Sequence, residues 1–171
     1  AFPALMKKYR KDPQGIPDLV VLPGSTEEVQ AVLRLANRYG LKAIPIITGV
    51  NMVSLCIPNS PGAISLDLKR MNKILNIDAQ NMTATIQPYV SIARIQAEAM
   101  KQGLWNGGTP LAPASCGLLS NIINSGTWQS ALAYGVGLRS LVNLTVVLTN
   151  GDVLKTGSAT IPNCGSFWCQ G

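Results

Sequence analysis

The residues best suited to bind a polar ligand lie in segment 45–52, which reads Pro-Ile-Ile-Thr-Gly-Val-Asn-Met. Thr48 offers a hydroxyl, Asn51 offers an amide, and Gly49 lets a backbone approach a ligand closely. The segment ends an apolar run that predicts a buried strand, and a polar turn after such a strand is a common ligand site in α/β folds. Because peptide N–H groups in a turn attract anions, we interpret it as a candidate anion-binding loop. A plain connection between two strands is the alternative that these residues leave open.

The amino-acid composition excludes several chemistries. The 171 residues contain no histidine, so this chain holds no Ser-His-Asp or Cys-His catalytic group and no histidine-ligated metal site. Carboxylates, Tyr, Lys, Cys or a cofactor are left to carry chemistry. The four cysteines have no CxxC spacing, which argues against a zinc knuckle or a thioredoxin motif. Cys164 and Cys169 are open to three readings: a disulfide, two cluster ligands or buried thiols.

The charge pattern gives no sign of a nucleic-acid partner. The net charge is +6, but the basic residues are scattered apart from a short run at positions 7–11, which predicts a solvated terminal face. Only 13% of the residues are charged, which suits a piece that packs against more protein. The sequence shows neither a secretory signal nor an apolar run of transmembrane length, so we expect a cytoplasmic protein without a membrane span.

The first half of the chain predicts a parallel strand–helix–strand unit. Residues 17–23 read as a short buried strand between two prolines. Ser25 and Glu28 have the spacing of a capping box, so a helix should begin there. Gly40 stands where a left-handed helix cap belongs, and residues 41–47 form the next apolar strand. Two strands joined by one helix in so few residues indicate a parallel βαβ unit.

The second half predicts three further strands at 63–67, 71–78 and 83–87, and then a helix from Ser91 to Gly103. Segment 106–126 is rich in Gly, Pro, Ser and Asn yet carries apolar residues, so we interpret it as a ligand wall with a short helix at 117–123. Residues 141–148 and 152–156 predict a hairpin, with a type I′ turn at Asn150 and Gly151. The tail 157–171 has no periodicity that assigns a structure.

Taken together, the order of these pieces resembles the FAD-binding domain of the vanillyl-alcohol oxidase family, also called the p-cresol methylhydroxylase (PCMH) type. Each piece is short, but their order and spacing from about residue 17 to residue 157 are specific. The segments that carry the resemblance are PDLVVLPGSTEEV (17–29), DLKRMN (67–72), TATIQP (83–88), QGL (102–104), YG (134–135), LTVVL (144–148) and NGDVLKTG (150–157).

The resemblance implies an α+β fold, the PCMH-type FAD-binding fold of two α/β lobes with the cofactor between them. Residues 1–78 would form the N-terminal βαβ lobe with the diphosphate loop, and residues 79–171 an incomplete second lobe. The family normally continues into the rest of that lobe and a substrate-binding cap domain, which supply the catalytic base. We therefore expect a fragment truncated before the cap domain, or a subunit that depends on a partner.

By the same resemblance, two segments should contact FAD. The family's diphosphate loop falls on residues 45–51, and its second flavin-contacting segment falls on residues 110–126. The residues of these segments that we predict to bind the cofactor are Thr48, Gly49, Val50, Asn51, Met52, Pro110, Ser115, Cys116, Gly117, Asn121, Ser125 and Gly126. Three of them have a structural alternative: Asn51 as a turn residue, Cys116 as a small core hydrophobe and Ser115 as a helix N-cap.

The chain departs from the family pattern at both segments. Ile46 and Ile47 stand where the family has an arginine and a first glycine, and Thr48 replaces a second glycine. Because β-branched residues resist positive φ, the loop must be reshaped or FAD binding must be weakened or lost. In the second segment, a Ser/Thr-hydrophobe-Gly-Gly pattern lacks only its last glycine. Without histidine, and with Cys116 near but not on the family's cysteine link, the resemblance implies noncovalent FAD.

The activity that the resemblance implies is flavin-dependent oxidation. An alcohol, a phenol or a 2-hydroxy acid of the lactate or glycolate type would lose a hydride to FAD, and electrons would pass on to oxygen or an acceptor protein. The expected partners are this small-molecule substrate and a cap domain or partner subunit. A second hypothesis, favoured by the Ile46–Ile47 replacement, is a structural or regulatory subunit that keeps the fold without the cofactor.

Overall fold

The computed structural model describes residues 16–49, 56–106, 114–124, 126–127 and 130–157. Several sequence predictions lie outside these described residues. They concern the basic run at 7–11, Val50, Asn51, Met52, Pro110, Ser125, Cys164 and Cys169.

A parallel three-stranded sheet forms the first part of the fold. Strand β1 spans Leu19–Val21, β2 spans Lys42–Ile46 and β3 spans Ala63–Asp67. Both β1 and β2 pair in parallel with β3, which gives the order β1-β3-β2. The predicted parallel unit is therefore confirmed, with β3 inserted between its two strands.

Burial follows from this order. The central strand β3 is buried from Ala63 to Leu66, whereas Leu19 and Val20 of β1 are about half exposed. The prediction of a buried first strand is wrong because β1 lies at the sheet edge. Strand β2 is also an edge strand and only partly buried, which accommodates Pro45, a residue without an N–H group to donate.

Helix α1 spans Thr26–Arg38 and connects β1 to β2. The hydroxyl of Ser25 accepts a hydrogen bond from the Glu28 N–H at 3.2 Å, as the capping pattern predicts. The Glu28 carboxylate accepts instead from the N–H of Gly24, one residue before the cap, at 2.7 Å. The helix ends at Arg38, and Gly40, two residues further on, has the left-handed φ of +65° expected of this glycine.

A hairpin and a helix follow the sheet. Strands β4 (Ile74–Asp78) and β5 (Thr83–Ile86) pair antiparallel, and helix α2 spans Ile92–Met100. The predicted boundary between the two lobes, after residue 78, falls inside this hairpin. The division of the chain into lobes 1–78 and 79–171 stays a prediction. Helix α3 spans Leu118–Ile123, close to the short helix predicted at 117–123. A core forms between these elements from Val90, Ile92, Ile95, Cys116, Leu118 and Ile122.

The last hairpin is shorter than predicted. Helix α4 spans Ala131–Tyr134, and a 3-10 helix spans Gly137–Ser140. Strands β6 and β7 of the hairpin span only Thr145–Val147 and Val153–Lys155.

The turn of this hairpin differs from the predicted one. Gly151 has a φ of +84°, but Asn150 does not take positive φ. The type I′ turn is therefore wrong. The Leu148 N–H donates to the Asp152 carbonyl at 2.8 Å, which encloses a three-residue loop with glycine at its last position.

Helix α1 and this hairpin are joined by two hydrogen bonds to a single carbonyl. The side chains of Gln30 and Arg34 both donate to the Gly151 oxygen, at 2.7 Å and 3.1 Å. The Arg34 side chain also lies where a Cβ at position 151 would stand. Glycine at 151 thus permits both the left-handed turn and the close approach of α1.

Replacing Gly151 by alanine is expected to lower the free energy of unfolding by about 2 kcal/mol, through left-handed strain and displacement of Arg34. Urea denaturation measures the change. Gly103→Ala is the matched control, because Gly103 also has positive φ, at +72°, but no atom within 4 Å of its added Cβ. It should cost about 1 kcal/mol from strain alone. Equal losses in the two variants would show that the Arg34 contact contributes nothing.

Candidate functional site

The two segments predicted to contact a cofactor meet at a hydrogen bond between Thr48 and Gly117. Thr48 lies just after β2, and Gly117 immediately precedes α3. The Gly117 N–H donates to the Thr48 hydroxyl oxygen at 3.0 Å. The contact joins positions 69 residues apart in the chain and fixes the loop after β2 against the second segment.

The second segment is held in place by the beginning of α2. The first N–H groups of a helix have no partner within it. Here the Ile92 N–H donates to the Cys116 carbonyl at 3.0 Å, and the Ala93 N–H donates to the Ala114 carbonyl at 2.9 Å. In return, the Leu118 N–H donates to the Val90 carbonyl at 2.9 Å. Residues 114–118 are therefore fixed by backbone bonds on both sides of Gly117.

The isoleucines that replace the family's arginine and glycine are accommodated without backbone strain. Among the described residues of the loop, Gly49 takes positive φ, at +69°, whereas Ile46, Ile47 and Thr48 do not. Ile47 lies against the second segment, where a Cβ added at Gly117 would stand 2.5 Å from its Cγ2 atom. The loop thus places its one left-handed residue at a glycine, and its β-branched residues keep conformations that suit them.

A cavity of about 400 Å³, wide open to solvent, lies beside the Thr48–Gly117 contact, and we call it the polar cavity because residues with polar groups line it. Two of its walls come from residues that follow strands of the parallel sheet, and the others come from the start of α2 and the second segment. The residues that line it are Thr48, Asn72, Tyr89, Ser91, Arg94 and Ser115. Its volume lies in the range of small-molecule sites, and hydroxyl, amide and guanidinium groups suit a polar or anionic ligand.

The predicted site residues fall into different surroundings. Thr48 and Ser115 line the cavity. Cys116 is 3% exposed and packs in the core, where burial raises the pKa of its thiol. Asn121 and Gly126 contact each other: the Gly126 N–H donates to the Asn121 carbonyl at 2.8 Å, and a Cβ at Gly126 would overlap the Asn121 side chain. Neither Asn121 nor Gly126 is among the residues that line the cavity.

Sequence reasoning missed four of the residues that line the cavity, Asn72, Tyr89, Ser91 and Arg94. Asn72 ends one of the segments that carry the family resemblance, which was a usable signal. Ser91 was predicted as a helix cap, and its hydroxyl does accept the Arg94 N–H at 3.3 Å. The positions of Tyr89 and Arg94 depend on how α2 packs beside the loop, for which a single sequence carries no pattern.

Replacing Thr48 by valine is expected to cost about 1 kcal/mol of stability, because the Gly117 N–H loses its acceptor while the shape of the side chain is kept. Thermal or urea unfolding measures this loss. Thr48→Ser is the matched control, since it retains the hydroxyl and should stay within about 0.5 kcal/mol of the wild type. The bond would be shown to be dispensable if serine and valine behaved alike.

A parallel sheet with a polar cavity beyond its strand ends, followed by antiparallel hairpins and helices, is the architecture of PCMH-type FAD-binding proteins. The sequence agrees, because the model of the FAD binding domain family matches residues 17–157. The chain belongs to this FAD-binding family.

Curated relatives support the assignment. The chain is 32% identical over 155 residues to glycolate oxidase subunit GlcD of Bacillus subtilis, a match that covers 90% of this chain and 33% of the relative. It is 29% identical over 153 residues to the flavoprotein subunit of 4-cresol dehydrogenase [hydroxylating] of Pseudomonas putida, covering 88% of this chain and 29% of that subunit.

Solved structures show the same fold. The TM-score is 0.76 to 6-hydroxy-D-nicotine oxidase from Arthrobacter nicotinovorans, at 25% identity, with 88% of this chain and 33% of that one covered. It is 0.73 to substrate-bound p-cresol methylhydroxylase, also at 25% identity, with 97% and 33% covered. The chain thus spans about a third of the length of these proteins, as it does of the glycolate oxidase subunit.

Two other features, a membrane-spanning helix and a metal centre, concern the described part of the chain. In that part of the chain, no helix combines the length and apolar character needed to cross a bilayer. The same residues contain no group of three or more His, Cys, Asp or Glu side chains placed to hold a metal ion.

Proposed function

We propose that this chain is the FAD-binding portion of an oxidoreductase that removes a hydride from an alcohol, a phenol or a 2-hydroxy acid of the lactate or glycolate type. The observation that carries the proposal is the polar cavity beside the Thr48–Gly117 hydrogen bond, where the two expected cofactor segments meet. Family membership supports the cofactor, and the relatives named as glycolate oxidase subunit and D-lactate dehydrogenase support the substrate class.

The hydroxyl, amide and guanidinium groups of the cavity suit the diphosphate part of a dinucleotide. FAD, when bound, supplies the acceptor for the substrate hydride. The chain's own residues bind and orient it: Thr48 and Ser115 offer hydroxyl groups, and Gly49 gives the loop its left-handed turn. In this proposal the lobes 1–78 and 79–171 flank the cofactor, and a cap domain or partner subunit supplies the catalytic base and the substrate contacts.

We propose further that FAD is bound noncovalently. The chain has no histidine to form a histidyl bond. Cys116 is buried among apolar side chains, and the raised pKa of its thiol keeps it protonated and weakly nucleophilic at neutral pH. Acid precipitation should therefore release all of the flavin into the supernatant. Flavin that stays with the precipitated protein would contradict this part of the proposal.

The direct test is the absorption spectrum of the protein purified with its native partners. The proposal expects a flavin spectrum with about one FAD per chain, bleached on addition of the substrate under anaerobic conditions. Glycolate, D-lactate and 4-cresol, tested with an electron-accepting dye, distinguish the substrate classes. A colourless, folded protein that takes up no added FAD would end the enzymatic proposal and support the cofactor-free subunit instead.

A further inference from the structure

One charged side chain lines the polar cavity. Of the six residues around it, Arg94 carries a positive charge, and the other five are neutral hydroxyl or amide residues. No carboxylate is among these six residues, so none of them would repel a bound anion. The cavity therefore has the lining of an anion site with one cationic wall.

Arg94 is held beside the cavity by local structure. It lies in the first turn of α2, where its N–H donates to the Ser91 hydroxyl at 3.3 Å. One guanidinium nitrogen, Nη1, donates to the carbonyl of Asn72 at 2.5 Å. A guanidinium has five N–H donors, so this bond fixes the group and leaves others for a ligand.

The charge of Arg94 is not neutralised within the described part of the chain. There the ion pairs involve other cations: Arg70 with Glu28 at 3.3 Å, Lys101 with Glu98 at 2.8 Å, and Lys69 with Asp67 at 3.6 Å. No carboxylate of the described residues forms an ion pair with Arg94. Arg94 is itself exposed, as the three paired cations are, but it has no carboxylate partner there. Its unpaired charge therefore attracts an anionic ligand more strongly than theirs.

The loop that contributes Thr48 to the cavity has no charged side chain in its sequence. Segment 45–52 contains neither lysine nor arginine, so it offers a phosphate group only hydroxyl, amide and peptide dipoles. Thr48 from this loop and Arg94 from α2 line the same cavity, together with Ser115 of the second segment. The positive charge that the loop lacks is thus provided at the same cavity by a different element, α2.

We propose that Arg94 is the cationic partner of the cofactor's diphosphate. This inference rests on the proposed function, because it names the group that would hold the phosphates of FAD at that site. A guanidinium can donate two parallel hydrogen bonds to one phosphate, and the hydroxyls of Thr48, Ser91 and Ser115 surround the same space.

The test compares three probes on the apoprotein: FAD, ADP and riboflavin, which share either the diphosphate or the flavin ring. Calorimetry gives the Kd of each probe, and flavin fluorescence gives an independent Kd for FAD and riboflavin. Arg94→Gln should weaken FAD and ADP binding about 10- to 100-fold and leave riboflavin unchanged, because only the first two carry the diphosphate. Arg94→Lys should recover part of the loss, since lysine keeps the charge but not the forked geometry.

Arg38→Gln is the matched control. It removes the same charge from the exposed end of α1, where the Arg38 guanidinium lies 6.0 Å from the Tyr39 ring centroid, and should change no Kd. In the wild type, ADP affinity should fall with added salt more steeply than riboflavin affinity. This measurement needs no variant, so it tests the proposal even if Arg94→Gln does not fold.

Three outcomes would overturn the inference while the proposed function stands: an Arg94→Gln variant with unchanged FAD affinity, equal weakening of riboflavin in a folded variant, or a variant impaired only in its KM for a carboxylate substrate. The last would place Arg94 at the substrate instead of the diphosphate. A wild-type protein that binds neither FAD nor riboflavin would overturn the proposed function itself, so the two failures are distinguishable.

Discussion

Replacing Gly117 by alanine should lower the free energy of unfolding by about 1–3 kcal/mol and abolish tight FAD binding. The added Cβ would stand 2.5 Å from Ile47 Cγ2 and 3.5 Å from the carbonyl oxygen of Pro88, so the loop after β2 must move away. That movement breaks the hydrogen bond from Gly117 to Thr48 and separates the two segments that the cofactor is proposed to contact. Urea denaturation and flavin content of the purified protein measure the two effects.

A double-mutant cycle separates the overlap from other effects of the new methyl group. Ile47→Ala removes the Cγ2 atom that the Cβ would overlap, so Gly117→Ala should cost much less in that background than in the wild type. The backbone at Gly117, with φ of −67° and ψ of 130°, is open to alanine, so strain of the backbone does not contribute. If the cost of Gly117→Ala were the same in both backgrounds, the contact with Ile47 would not be its cause.

Replacing Ile92 by alanine should lower the free energy of unfolding by about 2–5 kcal/mol. Ile92 is 1% exposed and lies in the core with Val90 and Ile95 at the beginning of α2. Truncation leaves a cavity there and loosens the helix end whose N–H groups hold residues 114–118. FAD affinity should fall together with stability, because the second segment loses its support.

The exposed residue Leu132 provides the comparison for this change. Its side chain is fully accessible in α4, so Leu132→Ala should alter stability by no more than about 0.5 kcal/mol. Urea unfolding of both variants tests the difference. A loss below about 1 kcal/mol for Ile92→Ala would mean that the core around α2 collapses readily onto the missing side chain.

The elements with strong local signals could be predicted from the sequence. Ser25 and Gly40 bracket α1 because the cap hydroxyl and the left-handed glycine act within one helical turn of themselves. The order of short motifs was specific enough to indicate the FAD-binding fold. These signals are contained within a few residues, so no knowledge of packing was needed to read them.

Features that depend on distant parts of the chain could not be predicted in the same way. An apolar run looks the same at a sheet edge as at its centre, so the exposure of Leu19 and Val20 became apparent only with the order β1-β3-β2. Asn150 and Gly151 suit more than one turn, and the pairing of Leu148 with Asp152 decided among them. Arg94 lines the cavity because of how α2 meets the loop, which is likewise a matter of tertiary packing.

The order of the first sheet has a consequence for the nascent protein. Among the described strands, β1 and β2 pair only with β3, which begins at Ala63, so neither can form its ladder until that later strand has left the ribosome. The carbonyl of Gly151 that receives Gln30 and Arg34 emerges later still. Translation must therefore deliver most of this chain before its first helix acquires its long-range partners, and until then β1 and β2 are exposed to chaperones and to one another.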